Sequence, residues 1–218
     1  MTNFKAAREA MVDCQVRPSD VTKYPIIDAL LRTPREDYVP VAKQPVAYVG
    51  EHISVSPNRS ILDPRTFAKM LDAVSISSDE LVLDVASGTG YSTAVIAHLA
   101  EAVVALEDDA ALATVANQTL SDAGVDNAIV VNGALNTGAA KHGPYDVIVV
   151  EGAIETFSDA LTKQLKDGGR AVAIFADGVA GQCYIGRKVG DRMNWRPEFD
   201  ASAPMLDGFS KPETFSFT

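Results

Sequence analysis

Residues Leu81–Leu99 read LVLDVASGTGYSTAVIAHL, and this stretch decides the fold. An apolar run, Leu81–Val85, carries Asp84 near its end, Gly88 and Gly90 follow, and a helical pattern begins at Tyr91. A strand that feeds a helix through such a turn points backbone N–H groups and the positive end of the helix at a polar ligand. Glycine, with no Cβ, lets that ligand come close to the backbone. The arrangement names a ligand class, a nucleoside-bearing cofactor.

Downstream, apolar runs predict strands over Ala102–Leu106, Ala128–Val131, Tyr145–Val150 and Arg170–Phe175. Helices are expected at Asp109–Ala123, stopped by Gly124, and at Thr156–Leu165, ending before Asp167–Gly168–Gly169. Near-continuous apolar strands alternating with helices mean a parallel sheet covered on both faces. After Phe175 the alternation stops, and Gln182–Val189 and Asn194–Phe199 flank Gly190–Asp191 as a β-hairpin. Upstream, helical spacing marks Asn3–Val16, Tyr24–Arg32 and Asp63–Ser75, whereas the proline-bearing Pro40–Pro57 reads as irregular strand and loop. The expected fold class is α/β, a Rossmann-like three-layer α/β/α sandwich whose mostly parallel sheet ends in an antiparallel β-hairpin. Residues 1–75 form an N-terminal helical cap on the substrate side, 76–201 the cofactor-binding core, and 202–218 a C-terminal wrap rich in Pro204, Phe209, Pro212, Phe215 and Phe217.

The 218 residues suffice for one substantial core plus an appendage, and 47% hydrophobic with 22% charged residues is a globular composition. A net charge of −10 argues against nucleic acid or an anionic membrane as the main partner, since both need a basic face. Two cysteines far apart, Cys14 and Cys183, supply neither a disulfide framework nor zinc spacing, so no metal is expected. The start, MTNFKAAREAMVD, has no apolar signal core, and no apolar run approaches the roughly 20 residues of a membrane helix. A cytoplasmic location is expected; the oligomeric state is not set by the sequence.

A dinucleotide fingerprint needs G-x-G-x-x-G, but its third glycine is here Thr93, which suits close helix–strand packing poorly. S-Adenosylmethionine fits the turn better, because it carries no phosphate and its cationic amino group is matched by an acid at the strand end, Asp84. Glu107 ends the next strand about 20 residues beyond Gly88, where a carboxylate accepts hydrogen bonds from both ribose hydroxyls. The cofactor set is Asp84, Ala86, Ser87, Gly88, Gly90, Tyr91, Glu107 and its neighbour Asp108, with Gly133, Ala134 and Leu135 after the third strand. Glu151 ends the fourth strand, where ligands enter open α/β sheets, and His52 lies in the cap's loop; both are substrate-side candidates.

VLDVASGTGYSTAVIA resembles the first motif of class I S-adenosylmethionine-dependent methyltransferases. Met11–Pro40, and above all Pro34-Arg35-Glu36-Asp37-Tyr38-Val39-Pro40, resembles the opening of the protein-L-isoaspartate O-methyltransferase family. GPYDVIVVEGAIE and LKDGGRAVAIF resemble that family's fourth and fifth strand regions, so the likeness runs from about Ala10 to Phe175. It implies a protein-repair enzyme that methylates L-isoaspartyl carboxylates of damaged proteins or peptides and releases S-adenosylhomocysteine. Three positions depart from the family. Its Thr-Ile-Ser-x-Pro stretch, with the serine at the methyl-transfer site, is here Ser60-Ile61-Leu62-Asp63-Pro64. Ser60 keeps the first hydroxyl, Ile61 borders the acceptor, and Leu62 lacks the second hydroxyl, a loss of about 1–3 kcal/mol where a buried partner is left unsatisfied. The family's adenine-contacting acid is replaced in Gly133-Ala134-Leu135, leaving Asn132 or Asn136 as substitute acceptors, and Ala86 replaces a glycine, a minor change at negative φ. Leu62 and Ala134 keep two alternatives open: a methyltransferase with a different acceptor, and a cofactor-binding paralogue with little catalysis.

Overall fold

The computed structural model of the chain describes residues 3–177 and 180–211. One mixed sheet organises it, in the order β5-β4-β3-β6-β7-β8-β9. Strands β3 (Leu81–Val85), β4 (Ala102–Glu107), β5 (Ala128–Asn132), β6 (Tyr145–Ile154) and β7 (Leu165–Asp177) are mutually parallel. β8 (Ala180–Val189) and β9 (Arg192–Asp200) add antiparallel at one edge through the Gly190 turn. The strand order reverses at β3–β6, where an open α/β sheet leaves its ligand crevice. The turn after β3 therefore opens into the crevice.

The period-2 alternation splits the apolar residues between two faces. Val82, Val147, Val149, Val172 and Ile174 pack with the cap and with α4 (Tyr91–Ala97). Leu83, Val85, Ile148, Val150 and Ala173 pack with Leu135, Leu161 of α6 (Asp159–Gln164), Leu206 and Phe209. Both faces are covered, but the second by one short helix, two 3-10 turns and the segment before residue 211. That segment lies on β6 because Gly152 makes room: a Cβ there would stand 2.6 Å from Leu206 Cγ. Ala153 N–H donates to Pro204 O and Leu206 N–H to Ala153 O. Phe209 is buried in this second cluster, while Pro212, Phe215 and Phe217 lie outside the described residues.

The cap holds α1 (Phe4–Met11), α2 (Tyr24–Arg32) and α3 (Pro64–Val74). Asp63 caps α3 by accepting from Thr66 N–H at 2.9 Å, with Pro64 in its first turn. Met11, Val12, Ile26, Leu30, Phe67 and Leu71 join the same apolar cluster as Val82 and Val147, so the cap shares the sheet's core. Arg170 of β7 ties the end of α3 to the sheet by donating to Val74 O, Ser75 O and both oxygens of Glu80.

Four expectations need correction. Asn3–Val16 is α-helical only to Met11 and continues as a π-helix over Val12–Val16. Residues 40–57 hold a 3-10 helix and β1 (Ile53–Ser56), which pairs antiparallel with β2 (Arg59–Ile61). The helix expected from Thr156 starts at Asp159, because Ser158 Oγ accepts from Leu161 N–H and caps it there. Gly168–Gly169 interrupt nothing: β7 starts at Leu165 and passes through them as an irregularity, since a Cβ on Gly169 would stand 2.9 Å from Lys166 O.

The outer hairpin carries an edge-to-face aromatic ladder. Trp195, the chain's single tryptophan, stands 4.9 Å from Phe175 and 5.1 Å from Phe157 between ring centroids. Its cross-strand partner is Gly186, where a Cβ would meet the indole at 2.7 Å.

Candidate active site

The turn after β3 is held from behind by β4. Ala86 and Ser87 N–H groups donate to Leu106 O, and Gly90 N–H donates to Ser87 O. Three consecutive bends need left-handed backbone, with φ of 66° at Ala86, 57° at Gly88 and 95° at Gly90. Ala86 is therefore no minor change: an alanine at φ near +60° costs about 1–2 kcal/mol relative to its usual conformations.

Asp84 is fully buried on the α4 side of β3, and its Oδ2 accepts from Ser92 Oγ at 2.7 Å and Thr93 Oγ1 at 2.6 Å. This is what Thr93 does in place of a third glycine. Among the described residues the other oxygen, Oδ1, has no partner, and neither does Ser87 Oγ nor Glu151 Oε1. Alternation along β6, which pairs Val150 with Val85, puts Glu151 on the same face as Asp84. Burial, partly opposed by the two hydroxyls and reinforced by Glu107, raises the Asp84 pKa to about 6. Burial and the charge of Asp84 raise that of Glu151 well above the carboxylate range, with Arg35 opposing. Two buried acids with unmatched oxygens are a site prepared for positive charge.

Arg35 comes from the Pro-Arg-Glu segment and is fully buried. Its Nε donates to Ala47 O at 2.8 Å, its Nη2 to Leu62 O at 2.7 Å, and its guanidinium lies 4.7 Å from the Tyr91 ring centre. Nη1 has no partner. Tyr91 packs between Tyr38 and Phe67, so α4 begins against the cap. Thr89 Oγ1 donates to Tyr38 O at 2.6 Å and completes that seam.

Glu107 is fully buried, and both of its oxygens are occupied. Oε2 accepts from Gly88 N–H at 2.8 Å, and Oε1 from the Asp108 and Asp109 N–H groups at 3.1 Å. Arg59 of β2 adds a bidentate pair, Nε at 3.0 Å from Oε2 and Nη2 at 3.0 Å from Oε1, and also contacts Asp108. Sequence reasoning missed Arg59. The only signal for it is a lone cation beside Ser60 in a chain with acids at 107–109.

The other candidates scatter. Ser60 is half-buried opposite Ser54, Ile61 pairs with Ile53, and Leu62 is buried in the core shared by cap and sheet. His52 uses both ring nitrogens on backbone, Nδ1 facing Asp63 N and Nε2 facing Ser202 O, and so braces the β2–α3 junction. Gly133 donates its N–H to Glu107 O, Ala134 is exposed, and Leu135 is buried on the far face. Asn132 donates to the Glu107 and Asp108 carbonyls and Asn136 to Gly208 O. The structure brings together Asp84, Ser87, Gly88, Tyr91, Glu107, Glu151 and the cap residues Arg35 and Arg59. Among the described residues no group of His, Cys, Asp and Glu is arranged to hold a metal, and no helix is long and apolar enough to cross a membrane.

Comparison with known proteins gives a consistent picture. The family model of protein-L-isoaspartate(D-aspartate) O-methyltransferase matches residues 6–184. A protein-L-isoaspartate O-methyltransferase of Koribacter versatilis is 33% identical over 193 residues, covering 88% of this chain and 87% of the relative. A solved protein-L-isoaspartate O-methyltransferase superposes with a TM-score of 0.81 at 21% identity, over 92% of this chain and 66% of that one. A Plasmodium falciparum structure of the same kind, in complex with S-adenosyl-L-homocysteine, gives 0.79 at 17% identity, over 95% and 99%.

Proposed function

The chain belongs to the protein-L-isoaspartate(D-aspartate) O-methyltransferase family, an S-adenosylmethionine-dependent family, and on that premise we propose how its residues carry out methyl transfer to L-isoaspartyl carboxylates of damaged proteins or peptides. The supporting observation is a juxtaposition: the glycine turn and the two unmatched acids beside it, Asp84 and Glu151, adjoin the cap segment, whose Arg35 holds Leu62 O and whose Arg59 holds Glu107.

S-Adenosylmethionine supplies an activated methyl group on a sulfonium. The residues present fit it. Asp84 Oδ1 and Ser87 Oγ are buried and unmatched beside the turn, and suit its cationic amino-acid end. Gly88 supplies the left-handed backbone, φ 57°, that turns its N–H toward Glu107, and Glu107 suits the ribose diol once its acceptor sites are free. Gly90 and Tyr91 shape the start of α4, and Gly133 secures the far side of Glu107. We assign Asp108, Ala134 and Leu135 no contact that their observed partners support.

An isoaspartyl carboxylate is already a nucleophile at neutral pH, so its methylation needs no general base. The chain's work is alignment and exclusion of water. Arg35, by holding Leu62 O, fixes the end of the acceptor-side segment Ser60–Leu62. Leu62 offers no hydroxyl. Burial and the charge of Asp84 raise the Glu151 pKa, so this acid holds its proton more readily than a free carboxyl and opposes an incoming carboxylate less. In its ionised form the same Glu151 would oppose an anionic acceptor, which supports a second reading, an acceptor that is neutral. The 1–75, 76–201 and 202–218 divisions serve as functional units on this proposal, and we place the protein in the cytoplasm, where its unpaired Cys14 and Cys183 stay reduced. The test is transfer of labelled methyl to an isoaspartyl peptide, with Gly88→Trp as control. Transfer above that control supports the proposal; cofactor binding without transfer to the peptide moves the assignment to another acceptor.

A further inference from the structure

Glu107 cannot serve a ribose while Arg59 holds it. A carboxylate offers about four acceptor positions. Here three backbone N–H groups, those of Gly88, Asp108 and Asp109, and two guanidinium N–H groups already share its oxygens. The backbone donors are fixed by the turn and by the start of α5 (Ala110–Asp122). Only the side chain of Arg59 can leave. It also lies over the turn itself, since a Cβ on Gly88 would stand 3.5 Å from Arg59 Cγ and 3.7 Å from Val55 Cγ2.

The guanidinium has somewhere to go. A cavity of about 250 Å³ adjoins it, lined by Ser56, Asn58, Arg59, Asp108, Asp109 and Asp207. Three carboxylates there keep an arginine paired after it releases Glu107, and Asp108 already touches Nη2. A rotation of the side chain exchanges one set of anionic partners for another, which lowers the cost of leaving.

We propose that Arg59 sets this chain's affinity for the nucleoside of its cofactor, closing the ribose position in the free protein and yielding it to the diol by moving into the acidic recess. This rests on the assignment of Glu107 to the ribose. Because Arg59 is on β2, immediately before Ser60, the exchange also links cofactor occupancy to the hairpin that carries the acceptor segment.

Calorimetric titration of the full chain with S-adenosylhomocysteine, wild type against Arg59→Gln, tests it. The variant binds about tenfold tighter or better, a gain of about 1.4 kcal/mol. A 2′,3′-dideoxy form of the same ligand shows no gain, because it has no diol to put in place of the guanidinium. Equal or weaker binding of S-adenosylhomocysteine by Arg59→Gln overturns the proposal, and wild-type binding in that case leaves the cofactor assignment standing. Binding by neither protein overturns both. A readout on the wild type needs no variant to fold: the assigned Arg59 Nε–H resonance shifts on addition of S-adenosylhomocysteine, and an unmoved resonance in the saturated protein overturns the proposal.

Discussion

Replacing Asp84 by Asn should make the free protein more stable at neutral pH while removing its grip on the cofactor. Asp84 is fully buried, with one oxygen satisfied by two hydroxyls and the other unmatched. Its pKa is raised from 3.8 to about 6, chiefly by burial. The sign follows from linkage. Below about pH 4 the acid is protonated folded and unfolded alike; between about pH 4 and 6 the unfolded chain ionises first and stability falls; above about 6 the deficit is constant. The deficit is roughly 3 kcal/mol at most. Asparagine keeps an acceptor for Ser92 and Thr93 without the charge, so a net gain of about 1–3 kcal/mol is expected at pH 7.5, or roughly 3–10 °C in melting temperature. Scanning calorimetry at pH 7.5 and 4.5, with and without S-adenosylhomocysteine, measures it. The gap between variant and wild type should shrink by half or more at the lower pH, and the ligand should raise only the wild-type transition. A variant that melts below wild type at pH 7.5, or a gap indifferent to pH, would refute the account of Asp84 as an unmatched buried charge.

Three further expectations can be checked by thermal or urea melts. Ala86→Gly relieves the left-handed strain at φ 66° and, after the entropy glycine adds to the unfolded chain, stabilises by roughly 0.5–1 kcal/mol; a lower midpoint would contradict it. Leu62→Ser restores the family's hydroxyl but empties a fully buried site, so it should cost about 3 kcal/mol or more, and any gain in methyl transfer must be sought well below its melting point. Arg170→Met cuts α3 and Glu80 from β7 and should cost about 1–2 kcal/mol near neutrality. Hydrogen bonds from Arg170 and Ser77 outweigh burial and hold the Glu80 pKa low, so the stability this pair adds is lost as pH falls, and the variant's acid limb should be shallower than wild type's.

The strand–turn–helix at Leu81–Ala97 was legible because its signals are local: an apolar run, two glycines and a change of period. Asp84, Gly88 and Glu107 followed from position on that pattern. Arg59 did not, because its partner is 48 residues away and they meet only when the β1–β2 hairpin closes over the turn. Ala86 looked harmless because φ is not written in composition; the neighbouring glycines were the available hint. His52 looked chemical because an imidazole in a loop has the right groups, yet both nitrogens serve backbone. Gly168 and Gly169 read as a break because glycine usually ends strands, whereas here left-handed backbone at Gly168 and close approach of the Asp146 and Lys166 carbonyls at Gly169 require it inside one.

Trp195 sits on the outermost strand, four places from β3 in the sheet, with its indole edge-to-face with Phe157 and Phe175. As the chain's one indole chromophore it is a spectator of the cofactor crevice and a witness to the hairpin. Its emission reports the integrity of the sheet's antiparallel margin, the part farthest from the chemistry. A spectroscopist following ligand titrations would need a different probe, whereas one following unfolding has a built-in marker for whether that margin frays before the parallel centre melts.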